Sequence, residues 1–388
     1  MSDSQAQATE TFPGWLPAQL ARHYGFPLAQ ASGKGQKVAI VSVGGVINMT
    51  ELANDFRAMR AAMPDVEVID VDAKNITARQ NTRPTAETHL DVEVIGTLCP
   101  EADIGIYRGP NTMQGFADAI TAAVDAGNGV ISISWAFNEQ HGLEHSAIEQ
   151  ALQHAVAQNV TVCCSAGDGG AGNMRYGNRA VPAPDRRAHV AYPASSPNVL
   201  ACGGTQLMSE PRHADTGEIV KVYSEEVWNN AALGGGAGGG GVSEVFPLPD
   251  WQTTAADGML SANDGKPGRV VPDISGLAAY TGGGDWKIFE NGEAEASGGT
   301  SAVAPLWASL FTLINELRAA EGRPRLGYLN ERLYALAARG GLFRDVTDGH
   351  NRPAPNAPGY DARAGFDACT GWGVPVGAAL TKALAALD

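Results

Sequence analysis

A serine stands directly before an apolar run in Ser297-Gly298-Gly299-Thr300-Ser301-Ala302, which continues from Val303 to Leu317. This is the setting of a nucleophile at a helix start. Gly298 and Gly299 let the backbone turn tightly. The N–H groups of the first helical turn, with the positive end of the helix dipole, lie beside the hydroxyl and can stabilise an oxyanion. Gly-Thr-Ser runs also cap ordinary helices, so Ser301 needs a partner that takes its proton. No His-Gly-Thr segment occurs in the chain. Acidic residues stand in its place. Glu87 and Asp91 lie four apart in Glu87-Thr88-His89-Leu90-Asp91, which puts both on one face of a helix. An arbitrary pair of this kind is a solvated acidic face. Here Leu90, Val92, Val94, Ile95 and Leu98 make the helix largely apolar. Two like charges buried on it are costly unless they share a proton or a partner. Asp168, in Ser165-Ala166-Gly167-Asp168-Gly169-Gly170, follows a strand-like run. Residues just past the carboxyl end of a strand face the ligand crevice of an α/β sheet, although Asp is also common in glycine-rich turns. A serine served by carboxylates points to a peptidase that works in acid.

The elements that must position these residues alternate along the chain. Strands are expected at Gln36–Val43, ending in Gly44-Gly45, and at Val66–Val71, Ala102–Tyr107, Gly129–Trp135, Val160–Ser165 and Val199–Thr205. Helices are expected at Met49–Met63, Pro84–Leu98, Gln114–Ala126 and Leu143–Ala157, then at Ala302–Ala320, Asn330–Ala338 and Val376–Leu387. Strands alternating with helices imply a mostly parallel sheet covered on both faces. Residues 169–192 lack periodicity and read as a long surface loop, as do residues 348–364. Gly234 to Gly241 is glycine apart from one alanine: a flexible loop, or backbone that approaches a substrate. Residues 1–13 read as a loose arm and 14–388 as a single domain, with no linker dividing it and no internal repeat.

The 388 residues carry a net charge of −15 and only 18% charged residues. With no basic stripe to neutralise phosphates, nucleic acid is excluded as a partner. No apolar run reaches membrane-spanning length, and Met1 to Thr11 is too polar for a signal peptide. The five cysteines, Cys99, Cys163, Cys164, Cys202 and Cys369, form neither a disulfide framework nor a zinc motif; a single bridge stays open.

Taken together these segments resemble the sedolisin family, the serine-carboxyl peptidases, over about Gly14 to Leu387. Glu87 to Glu93, Ser165 to Asp168 and Ser297 to Ala302 match its three catalytic segments. Pro193-Ala194-Ser195-Ser196-Pro197, Cys202-Gly203-Gly204-Thr205 and Val271-Pro272-Asp273-Ile274-Ser275 are further landmarks. The resemblance implies a subtilisin-like α/β fold. It makes Ser301 the nucleophile, Glu87 the general base, Asp91 its orienting partner and Asp168 a protonated donor to the oxyanion. Ser134, Trp135 and Ala136 would pair with an extended substrate, with Ala136 where relatives often have glycine. Ser42 stands where some relatives extend the acidic chain with a glutamate. One structural Ca²⁺ is implied, held by Asp345 and Asp367 and the carbonyls of Val346, Arg363 and Gly365. Arg363 replaces a glycine of the relatives.

The resemblance further implies a protein or peptide substrate, a prosegment that is separate or removed, a monomer, and an extracellular location. The polar N-terminus keeps the cytoplasm as the alternative. The reading is an acid-acting endopeptidase; a tripeptidyl exopeptidase of the same family and an inactive, calcium-stabilised binding module are the alternatives. A histidine-based subtilisin is disfavoured, because His89 lies inside the helix and His141 in loop surroundings.

Overall fold

The computed structural model describes residues 14–76, 83–209, 222–280 and 285–387; the expected arm, residues 1–13, lies outside them. In chain order the helices are α1 (Pro17–His23), α2 (Met49–Met59), α3 (Arg83–Leu98), α4 (Met113–Asp125), α5 (Ala147–Ala157), α6 (Thr300–Ala320), α7 (Asn330–Ala337) and α8 (Gly377–Ala385). The central sheet holds β1 (Lys37–Val43), β2 (Asp65–Asp70), β3 (Asp103–Gly109), β4 (Val130–Ile133), β5 (Thr161–Ser165), β6 (Leu200–Ser209), β7 (Val222–Val227) and β8 (Ile274–Leu277).

The strand order is β7-β6-β5-β4-β1-β3-β2, with β8 also paired to β6. Every pairing is parallel except β6 with β7. The reason lies in the strands. In β1 both alternating sets are apolar: Val38 and Ile40 face one core, Ala39, Val41 and Val43 the other. A strand buried on both sides needs helices on both sides. Here α1, α2, α3, α6 and α8 cover one face, α4 and α5 the other. The expected subtilisin-like α/β architecture is the one observed.

Local chemistry sets the helix ends. Asn48 caps α2 by accepting from the N–H groups of Thr50 and Glu51, Thr112 caps α4 and Ser146 caps α5. Helix α2 stops at Arg60, whose φ of 57° is left-handed, so it ends short of the expected Met63.

One expectation fails. The stretch 169–192 is not one loop: Met174–Tyr176 and Arg179–Val181 form an antiparallel hairpin around Gly177-Asn178. The later part of the glycine run is packed into the fold. A Cβ on Gly239 would come within 2.0 Å of the Ala166 carbonyl, and one on Gly240 within 2.3 Å of the Ala368 carbonyl. Glycine is needed there because backbone packs on backbone. A second hairpin, Trp286–Glu290 with Glu293–Ser297, leads into the Ser301 turn and was not anticipated.

Candidate active site

Ser301 is the second residue of α6, and 8% exposed. The turn before it depends on glycine. Gly299 caps the helix with φ 90°, and a Cβ there would lie 2.8 Å from Oδ2 of Asp168. Asp168 therefore packs directly against the backbone that carries the nucleophile.

Asp168 sits past the carboxyl end of β5. Its Oδ1 accepts from the Thr300 N–H at 2.8 Å and from the Thr300 hydroxyl at 3.0 Å. That hydroxyl in turn accepts from the Gly167 N–H. The glycine run fixes the segment from the other side: Ala237 N–H donates to the Asp168 carbonyl, and Gly239 N–H to the Gly167 carbonyl. Oδ2 of Asp168 is held at 2.8 Å by the guanidinium of Arg175, which comes from the tip of the 174–181 hairpin and also donates to Asn178. In this geometry Asp168 accepts at both oxygens.

The second acidic group comes from α3. Asp91 is fully buried and accepts at 2.7 Å from the Ser134 hydroxyl, which also lies 3.1 Å from the Ser301 carbonyl. One hydroxyl proton serves one acceptor at a time, and the carboxylate is the nearer and stronger one. Burial, and then the neighbouring Glu87, push the Asp91 carboxyl well above the ordinary carboxylate range; the Ser134 bond opposes them. Ser42, where relatives extend the acidic chain, bonds instead to the Thr88 hydroxyl at 2.7 Å on the same helix.

Two cavities flank the segment 297–301. One, of about 190 Å³, is lined by Ser134, Ala136, Asp168, Arg175, Thr300 and Ser301, among others. The second contains Glu87, Ser297 and Gly298. The structure thus brings Ser301, Asp168, Ser134 and Ala136 to one cleft, with Asp91 behind Ser134, while Glu87 lines the second cavity. The Trp135 side chain packs on the core under α4 and α5.

Residues 73–325 match the profile of the subtilase family. The chain is 41% identical over 377 residues to kumamolisin from Bacillus sp. (strain MN-32), covering 95% of this chain and 63% of that protein. It is 31% identical over 322 residues to human tripeptidyl-peptidase 1, covering 78% of this chain and 52% of that protein. Among solved structures, Pseudomonas sedolisin, described as a serine-carboxyl proteinase complexed with two molecules of pseudo-iodotyrostatin, superposes with a TM-score of 0.77 at 27% identity, covering 96% of this chain and 98% of that one. This chain belongs to the subtilase family, in its sedolisin branch. It spans 63% of the length of kumamolisin and 52% of that of tripeptidyl-peptidase 1, less than two thirds of either. A lanthipeptide protease, 16% identical with a TM-score of 0.56, shares the fold alone.

Arg175 is what the sequence reading missed in this sedolisin-type cleft. A signal existed: Gly177-Asn178 between two short runs is a two-residue hairpin cue. The Ser134 hydroxyl bond to Asp91 was likewise not anticipated.

The predicted metal ligands cluster in the C-terminal loops. Asp345 Oδ2 accepts from the Gly365 N–H at 2.7 Å, and Asp367 Oδ2 from the Arg363 N–H at 3.0 Å, so the 363–367 turn ties the two carboxylates together. Thr370 reaches the Val346 carbonyl. The Arg363 guanidinium turns aside to the Phe366 and Asp257 carbonyls. Two carboxylates among backbone carbonyls form a hard-oxygen set that suits Ca²⁺, although no cluster of three or more His, Cys, Asp or Glu side chains fit for a metal exists among the described residues. All five cysteines are free, so the one bridge left open by the sequence is not formed. No described helix is long and apolar enough to cross a membrane.

Proposed function

We propose that the chain is an acid-acting serine-carboxyl endopeptidase. One observation carries the reading: Ser301 and Asp168 line one cavity, while a buried carboxyl partner of Glu87, Asp91, lies directly behind it. Ser301 Oγ attacks the peptide carbonyl as Glu87 takes its proton. Glu87 then protonates the departing amine, and water hydrolyses the acyl-enzyme by the reverse proton route. Asp91 holds Glu87 in place, as the aspartate does in a Ser-His-Asp triad. The oxyanion forms between the α6 N-terminus and Asp168. To donate there, Asp168 must carry a proton and Arg175 must release Oδ2. Glu87 ionised with Asp168 neutral defines an acid window.

The kinship with tripeptidyl-peptidase 1 supports a second reading, removal of tripeptides from a free N-terminus. Digestion of an unfolded protein across pH 2–8, with products identified by mass, separates the two: internal fragments support endopeptidase action, and tripeptides alone support the exopeptidase. No cleavage at any pH, with and without a serine reagent, would leave a binding module.

Asp345 and Asp367, with the carbonyls of Val346, Arg363 and Gly365, would hold one Ca²⁺. When bound it supplies charge neutralisation and bracing of these loops, stabilising the native state by mass action. Excess chelator and Asp345→Ala should each lower the melting temperature; an unchanged melting curve in both would remove the metal from the scheme.

A further inference from the structure

The second cavity beside the nucleophile, of about 300 Å³, lies between α3 and the 286–297 hairpin. Its walls carry Glu51 from α2, Glu87, His89 and Glu93 from α3, and Glu290 and Glu295 from the hairpin. Glu93 is fully buried. Its Oε2 accepts from the Phe289 N–H at 3.0 Å, and its Oε1 meets no hydrogen-bond partner. Beneath it, fully buried Asp55 accepts from the Gly292 N–H at 2.6 Å and likewise leaves Oδ2 without a partner. Burial, then the Asp55 charge, push the Glu93 carboxyl well above its ordinary range. Among the described residues, Glu51, Glu93, Glu290 and Glu295 make no ion pair. The basic group in the wall, His89, faces the Asn48 N–H with Nε2, and burial lowers its pKa. The cavity is therefore a built acidic recess whose buried floor carboxyl leaves one oxygen, Oε1 of Glu93, without a hydrogen-bond partner.

Its position assigns a side. The cavity containing Asp168 serves the acyl half, because the oxyanion forms there. This one contains Glu87 and the residues just before Ser301, but neither Asp168 nor Ser134. On the proposed mechanism Glu87 delivers a proton to the departing amine, so a recess beside Glu87 flanks the leaving half of the substrate.

We propose that this recess takes the cationic side chain of a lysine or arginine on the leaving side of the cleaved bond. The assignment rests on the peptidase reading. A long aliphatic stem fills the cleft between Leu90 and Ile288, and its charged end meets the carboxyls of Glu93, Glu290 and Glu295.

Two assays in parallel test this. In the first, quenched peptides with one fixed acyl half carry lysine, norleucine or glutamate at each of the first three leaving-side positions. In the second, the same peptides are titrated onto the Ser301→Ala variant by calorimetry, which needs no turnover. Lysine should exceed norleucine by about tenfold at one position in both kcat/KM and affinity, since a few partly exposed charge pairs together supply that much. In the double variant Glu290→Gln/Glu295→Gln that ratio should fall to about threefold or less on the same grounds. Equal affinities for lysine and norleucine at every position, or a ratio that survives the double variant, would overturn the subsite. Binding selectivity without cleavage of any peptide would keep the subsite and defeat the peptidase reading instead.

Discussion

The nucleophile stands between two acidic regions of opposite character. On the α3 side, Asp91, Glu93 and Asp55 are buried and form no ion pair among the described residues, and burial drives all three carboxyls toward the neutral form. On the β5 side, Asp168 is tied to Thr300 and to the Arg175 guanidinium. The same residue type is thus tuned in two ways. On one side the carboxyls are desolvated without a counter-charge and hold their protons; on the other a guanidinium lies 2.8 Å from the carboxyl. On the proposed mechanism, Ser301 between them has a proton acceptor on one flank and, once the Arg175 contact opens, a proton donor on the other.

The largest break in this contrast comes from the α3 side. Glu87→Gln cannot accept the serine proton and should lose roughly 10⁴-fold or more in kcat, as should Ser301→Ala, because members of such a unit fail together. Circular dichroism and melting curves should show both variants folded, since each is a conservative change at the site. Activity near wild type in Glu87→Gln at the acid optimum would move the base elsewhere.

Asp168 comes next. Asp168→Ala should cost on the order of 10²–10³-fold at every pH, the loss of one oxyanion donor. Asp168→Asn donates at any pH, so its alkaline limb should flatten or move upward. A limb that coincides with wild type would mean that Asp168 does not set it.

Asp55 gives a stability readout. Its carboxyl is pushed up to about 6, chiefly by burial, from an ordinary 3.8. A group raised in the folded state stabilises fully below its unfolded value and loses that contribution as pH rises through its folded value. About 3 kcal/mol should therefore disappear between about pH 4 and a little above pH 6. Urea melts at pH 4 and pH 7 should show this decline in the wild type and a smaller one in Asp55→Asn. Equal declines would mean that other groups account for it.

The smallest effect sharpens the contrast on the β5 side. Arg175→Gln removes the ion pair that holds Oδ2 of Asp168. On the proposed mechanism Oδ2 is then free to face the oxyanion, and kcat should rise by about threefold or less, the worth of one partly exposed pair. An unchanged kcat, in a variant that melts like the wild type, would show that the Arg175 contact does not limit turnover.

How much of this was legible depended on whether a pattern was local. The α3 pair could be read because both carboxyls lie on one helix, where spacing of four fixes their relation, and Leu90 to Leu98 announced burial. Ser301 was legible through its glycines, and the parallel sheet through doubly apolar strands such as β1. Arg175 was not, because the 174–181 hairpin lies in a stretch without hydrophobic periodicity and its contact with Asp168 depends on how the hairpin folds back. The glycine run was hard to read for a related reason: its composition signals freedom, yet Gly239 and Gly240 are glycine because other backbone leaves no room for a Cβ.

The sequence by itself determined which groups exist and their order along each element: a serine after two glycines, two carboxyls one helical turn apart, and an aspartate at a strand's end. Short-range sterics and helical periodicity suffice for that. Only the tertiary structure decided what surrounds them. It turned the Ser134 hydroxyl onto Asp91, set Arg175 on Asp168, and buried Asp55 and Glu93 under a hairpin far along the chain. Protonation depends on desolvation and on charges a few ångströms away in space, and residues more than a hundred positions apart acquire those relations only when the chain packs.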